Sequence, residues 1–225
     1  MPYILHIETA TTVCSVTLSH EHQILSTKEI NTGYTHAENL HVFIQEILKE
    51  TNIQTSQLHA IAISKGPGSY TGLRIGTSSA KGLAFALQIP LIAIDTLKAL
   101  SVSVLKKTDK ETLLCPMLDA RRQEVYTAIY DINLKEIISP CAQIVTDENF
   151  SFFQMNKPIV FFGDGMVKLQ PVLEKIDNAS FLKNIVPSAE NMVELALSKF
   201  KQKEFEDTAY FVPNYMKEFY TTFKK

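Results

Sequence analysis

The sequence predicts an α/β protein built as two successive lobes, and three observations predict it. Three strand-like runs in series give way to helical and strand patterns in alternation. After a charged break at residues 106–111 the chain starts again with strand-like runs. Between the fourth strand and its helix stands Gly66-Pro67-Gly68-Ser69-Tyr70-Thr71-Gly72, a turn too rich in glycine to be regular structure.

Residues 4–8 read as a buried strand. Residues 13–19 alternate, with Val13, Ser15 and Thr17 set against Cys14, Val16 and Leu18, and residues 23–30 form a weaker third strand. Polar turns at residues 9–12 and 20–22 allow these three to fold as an antiparallel meander. Thr35 with Glu38 three residues on reads as a capping box, and Leu40, Phe43, Ile44, Ile47 and Leu48 repeat at the spacing of one helix face, predicting a helix over 35–51. Then come a strand at 58–64, a helix at 73–87, a strand at 91–94 and a helix at 96–105. Three strands, helix, strand, helix, strand, helix is the order of a ribonuclease-H-like lobe.

The division falls at 1–106 and 107–225. The second part carries strands at 112–118, 124–131, 136–145 and 159–162, with helices at 166–176 and 189–200, a reduced copy of the first. Two such lobes facing each other are the architecture of the actin, hexokinase and Hsp70 (ASKHA) superfamily.

Composition narrows the function. Lys and Arg number 22 against 24 Asp and Glu, a net charge of −2, so strong unaided nucleic-acid binding is not expected. Cys14, Cys115 and Cys141 are odd in number, widely spaced and set in apolar stretches, which argues for buried free thiols. Glu8 interrupts the first apolar run, which therefore reads as a strand and not a leader. The most apolar window, residues 82–94, is too short to span a bilayer. A cytoplasmic location is expected.

The glycine block offers backbone room, Ser69 and Thr71 hydroxyls, a helix N-terminus and the fixed charge of Arg74, together a candidate anion site. Its plain alternative is a strand-to-helix turn that packs closely. Gly76 and Gly82 lie inside the following helix at a cost of roughly 1 kcal/mol each, so close packing, within the chain or against a second subunit, should compensate. His36 and His41 are five residues apart and cannot share a metal; His36 reads as a surface or capping residue. Asp119, Arg121 and Arg122 form a charged turn between two apolar strands, and the arginines suit phosphate or carboxylate in an interlobe cleft. The aromatic, basic end of the chain, from Val212 to Lys225, is expected to dock in part.

These residues carry a resemblance. Ile7 to Thr11 with Cys14-Ser15-Val16, His36, Gly66 to Gly76, Ala80 to Ala84, Asp119 to Tyr126 and Pro213-Asn214-Tyr215 together resemble the bacterial TsaB (YeaZ-type) family, with Tyr70 where Phe is commoner. The resemblance implies a non-catalytic subunit in forming N6-threonylcarbamoyladenosine at position 37 of tRNAs that read codons starting with A. TsaD is the implied heterodimer partner, TsaE an ATPase that joins, and TsaC the source of the activated intermediate. No cofactor is required of this chain; ATP or ADP and metal belong to partner subunits. tRNA is met through the complex, and no membrane is involved.

Glu8 stands where kinases of the superfamily carry a phosphate-site Asp, which weighs against an ATPase. The resemblance places the interface on the first lobe's helices, at His36, Leu40, Phe43, Ile75, Ser79, Ala80, Leu83 and Ala84. The same face is expected to make a homodimer in the isolated chain, so Ala80→Arg or Ala84→Arg should weaken both assemblies. Catalytic residues and metal ligands are not expected, and a peptidase label reads as inherited from the paralogue. The alternative is a small-molecule kinase or ATPase of the same superfamily, using Asp119.

Overall fold

The structure is a computed structural model and describes residues 1–33 and 35–217. The first sheet contains β1 (Tyr3–Glu8), β2 (Cys14–His20), β3 (Gln23–Ile30), β4 (Ala60–Ser64) and β5 (Leu91–Ile94), in spatial order β3-β2-β1-β4-β5. The meander β1–β3 is antiparallel, while β4 and β5 run parallel to β1. Helices α1 (His36–Thr51) and α2 (Tyr70–Leu87) cover one face of this sheet. There Leu5, Ile7, Val16, Leu18, Ile61 and Ile63 meet Leu40, Ile44, Ile47, Ala80 and Ala84. Burying that many branched side chains supplies the main driving force for the lobe.

The second sheet contains β6 (Leu113–Asp119), β7 (Glu124–Tyr130), β8 (Glu136–Ile144), β9 (Ile159–Phe162) and β10 (Ala179–Leu182). Read from its antiparallel side its order is β8-β7-β6-β9-β10, the same topology as the first. Two ribonuclease-H-like lobes are therefore present. The second is reduced as expected: a single 3-10 turn, Phe150–Phe153, stands where the first lobe has α1. Helix α4 (Asp164–Leu173) covers the outer face. Helix α3 (Thr96–Val102) lies between the sheets, with Ala99 packed on the first and Leu97 and Leu100 on Leu114, Tyr130 and Phe162 of the second.

The sequence does not signal two features. Strand β10 is short and only partly buried, so its pattern is faint. The segment after it returns to the first lobe. Met192, of a 3-10 turn, and Ala196, of α5 (Val193–Gln202), pack against Ile4, Ala62 and Ile92. This changes the meaning of the alternation in β2. Ser15, Thr17 and Ser19 form a buried polar face rather than a solvated one. The Ser15 hydroxyl accepts from the Ala189 backbone N–H at 3.0 Å, the Ser19 hydroxyl lies 2.8 Å from His6 Nε2, and Thr17 meets Thr27 at 3.0 Å. Partners of this kind are what make buried hydroxyls tolerable. The capping box predicted at Thr35 does not form: its hydroxyl makes no cap hydrogen bond to α1.

Candidate functional site

The site is built on the turn that follows β1. Glu8 ends the strand fully buried. Its Oε1 accepts from the Ala10 backbone N–H at 2.6 Å and from the Ser64 hydroxyl at 2.9 Å, which ties the turn to β4. Oε2 has no hydrogen-bond partner among the described residues. Burial raises the Glu8 pKa to about 7, more than the bonds from Ala10, Ser64 and Thr9 lower it, and the charge of Glu29 raises it slightly. Two residues back on the same strand face, burial pushes His6 down to about 3.

The glycine block lies directly on this turn. An added Cβ at Gly68 would meet the Ala10 carbonyl oxygen, at Gly72 the Thr9 carbonyl oxygen, and at Gly76 the Thr9 hydroxyl, each inside 3.0 Å. Ser69 donates its backbone N–H to Ala10 O at 2.6 Å, and the Thr9 hydroxyl donates to Gly72 O at 2.9 Å. The Ser69 hydroxyl, expected to face an anion, caps α2 by accepting from the Gly72 N–H at 3.4 Å. The room these glycines provide is filled by the chain's own backbone. Pro67 is buried and Gly66 sits at φ +103°, with the Asn214 carbonyl oxygen where a Cβ would be. Thr71 and Arg74 point outward, and Arg74 lies over the Tyr70 ring and donates to its hydroxyl at 3.0 Å.

The second lobe repeats the device. Gly163, before α4, and Gly165, in its first turn, press on Met117 and Leu118 of β6, much as Gly68 and Gly72 press on the turn after β1. The residue equivalent to Glu8 is Asp119 at the end of β6, and its setting is the opposite. Asp119 is exposed, ion-paired with Lys168, and accepts from the Arg121 backbone N–H at 2.8 Å. Its own N–H donates to Asp164 at 3.0 Å, and burial together with the Asp119 charge raises the Asp164 pKa. Arg121 and Arg122 are both exposed at the tip of the β6–β7 hairpin.

The structure buries half of the expected interface residues and leaves the others half-buried. Leu40, Ala80 and Ala84 are buried in the first core, and Phe43, Ile75 and Leu83 pack against it. His36 is also buried, not a surface residue: its Nε2 donates to Thr11 O at 2.8 Å, and its ring lies against Gly72. Ser79 is half-buried beside His41, 3.1 Å from its Nε2. The small residues of α2 let the helix lie close to β4, so Ala80→Arg or Ala84→Arg would put a charge into the core instead of testing a contact. The outward face of α2 is instead Thr71, Arg74, Ser78, Gly82 and Phe85. Phe85 is 81% exposed, and an added Cβ at Gly82 would meet nothing within 4 Å. Beside it α1 presents Ala37, Glu38, His41 and Val42.

A strap from Lys203 to Lys217 is the feature sequence reasoning undervalued. Glu206 donates to Leu91 O at 2.9 Å, sealing the β5 edge. Lys81 holds the carbonyls of Ala209 and Phe211 at 3.1 and 2.9 Å, and Phe211 enters the first core. Asn214 donates to Lys65 O at 2.7 Å, Tyr215 packs on Tyr70, and Lys217 reaches Ala120 O and Glu124 in the other lobe. The expected docking thus holds through Lys217; residues 218–225, with Phe223, Lys224 and Lys225, lie outside the described residues. The signal for the strap was Pro213-Asn214-Tyr215, too short to show where it docks.

No helix of the described residues is long and apolar enough to cross a membrane. Component A of the (R)-2-hydroxyglutaryl-CoA dehydratase of Acidaminococcus fermentans shares the fold alone, with a TM-score of 0.54 at 9% identity over 91% of this chain and 100% of that one. It supports the two-lobed architecture. YeaZ from Pseudomonas aeruginosa superposes with a TM-score of 0.81 at 26% identity, covering 96% of this chain and all of that one. The tRNA threonylcarbamoyladenosine biosynthesis protein TsaB of Bacillus subtilis is 27% identical over 218 residues, 95% of this chain and 93% of that protein. A family model described as TsaD: tRNA N6-adenosine threonylcarbamoyltransferase matches residues 24–223. Sequence and fold thus agree along nearly the whole chain, which belongs to this family through its TsaB (YeaZ-type) members.

Proposed function

We propose that this chain takes part in the biosynthesis of threonylcarbamoyladenosine in tRNA, at position 37 of tRNAs reading codons that start with A. It acts there as a non-catalytic partner of a TsaD-type threonylcarbamoyltransferase. The outward face of α1 and α2 makes the heterodimer, and the same face makes a homodimer when the chain is alone. Nucleotide and metal reside on the partner subunits, and a TsaE-type ATPase joins the pair.

The observation that carries this reading is the Gly82–Phe85 face. A helical glycine whose Cβ position is open space costs the isolated chain stability, and the exposed Phe85 one turn on supports a place for another helix to pack. The packed glycine block supports a non-catalytic role, since its backbone groups are spent on the Thr9–Ala10 turn. The kinase alternative needs Asp119 as a base, and Lys168 holds it as an ion pair.

The test is co-purification with the TsaD paralogue of the same cell, followed by tRNA modification with and without this chain. The pair is expected to form and modification to depend on it. Gly82→Arg and Phe85→Ser should each weaken pairing by about tenfold or more, as interface anchors do. Modification that proceeds without this chain, or ATP turnover by the chain alone that is lost in Asp119→Ala, overturns the reading.

A further inference from the structure

The tip of the β6–β7 hairpin is unusual in its backbone. Arg121 and Arg122 sit at φ 68° and 53°, both in the left-handed region. Side chains with a Cβ resist that region, which hairpin loops ordinarily give to Gly, Asn or Asp. Two arginines in succession are therefore a poor choice for closing a turn.

The surroundings hold the strained tip in place. The Asp119 carboxylate accepts from the Arg121 N–H at 2.8 Å, Glu124 N–H donates to Arg121 O at 3.2 Å, and Ala120 N–H donates to Glu124 O at 3.1 Å. Lys168 donates to Glu124 O at 2.7 Å and pairs with Asp119. Lys217, at the end of the strap, donates to Ala120 O at 3.3 Å and pairs with Glu124. Both carboxylates of the hairpin are thus neutralised by lysines. Arg121 and Arg122 are left exposed, and among the described residues neither forms an ion pair. Two successive side chains held in the left-handed region by their neighbours, with two cations left unbalanced, are grounds for a functional hypothesis.

We propose that the Arg121–Arg122 tip is a contact for the phosphate backbone of the RNA substrate; this rests on the function proposed above. Guanidinium groups match phosphate oxygens in pairs and stay charged at every physiological pH. Both arginines are exposed at the end of the hairpin, with Gln123 exposed beside them. An open pair of cations suits successive phosphates of a strand better than an enclosed small anion. With a net charge of −2 the chain holds RNA weakly by itself, so the tip orients a strand that the whole complex binds.

The experiment uses the full chain reconstituted with its TsaD paralogue and tRNA from the same cell, with affinity measured by anisotropy over a series of salt concentrations. Replacing both arginines by alanine is expected to lower affinity roughly tenfold at low salt and to flatten the slope of log K against log salt by about 1 to 2. Replacing both by lysine should keep most of the slope. Replacing both by glycine removes the charges and relieves the backbone, so this variant should melt no lower than the parent while losing the same tRNA affinity. Unchanged affinity and slope in the glycine variant, with pairing intact, overturn the inference and leave the proposed function standing. Loss of pairing in that variant overturns it in favour of a protein contact at the tip. A parent chain that fails to pair at all overturns both.

Discussion

Gly72→Ala is expected to lower the stability of the folded chain by about 3 kcal/mol, the upper range for overpacking. The added Cβ would sit inside 3.0 Å of the Thr9 carbonyl oxygen, and the His36 ring closes the other side at 3.3 Å. Backbone cannot move away as the end of a side chain can. The Thr9 hydroxyl already donates to Gly72 O, and Thr9 lies beside the fully buried Glu8. Gly76→Ala meets the Thr9 hydroxyl and should behave in the same way with a smaller loss, since that group can rotate. Gly82→Ala should do the opposite. Nothing lies near its Cβ, so the better helix former stabilises the isolated chain by about 1 kcal/mol. Denaturant titration of the three variants decides the matter. Equal losses at Gly72 and Gly82 would show that space, and not helix propensity, governs both positions.

Glu8→Gln is expected to stabilise the chain by about 3 kcal/mol at pH 8 relative to pH 4, measured against the parent at each pH. The folded pKa of Glu8, about 7, lies above the ordinary 4.5. The folded state keeps a proton that the unfolded state gives up. The stability this carboxyl contributes is therefore complete below pH 4.5 and is lost as pH rises through 7. Glutamine keeps the acceptor for Ala10 and Ser64 but carries no charge. His6 works in the other direction. Its folded pKa, about 3, lies below 6.5, so its contribution is complete above pH 6.5 and is lost as pH falls toward 3. Between pH 4.5 and 6.5 the trends of Glu8 and His6 oppose each other. Parent and Glu8→Gln curves that stay parallel from pH 4 to 8 would mean that Glu8 keeps its charge in the folded state.

Most of the fold was legible in the sequence because each signal was local. A buried apolar run places β1, alternation over residues 13–19 places β2, the helical repeat from Leu40 to Leu48 places α1, and the glycine block separates β4 from α2. What the sequence left open depended on partners far along the chain. The alternation in β2 shows that Ser15, Thr17 and Ser19 share a face; that this face is buried follows from Ala189 returning to it 174 residues later. Small residues mark α2 as a helix that packs closely. Which of them face inward was decided by how the helix lies on β4, which buries Ala80 and Ala84 and leaves Gly82 and Phe85 outside.

The site divides along the same line. The sequence by itself determined that a glycine block stands between β4 and α2, that Glu8 replaces an aspartate in the turn after β1, and that Arg121 and Arg122 stand between two strands. Only the tertiary structure decided what those residues do. It fills the glycine loop with the backbone of Thr9 and Ala10, buries Glu8 until it holds a proton near neutrality, and braces the two arginines with lysines from α4 and from the strap. The physical reason is that burial and charge balance are properties of the assembled surroundings. A residue carries its chemistry in the sequence, but its solvation, its neighbours and its direction are set by segments that meet only on folding.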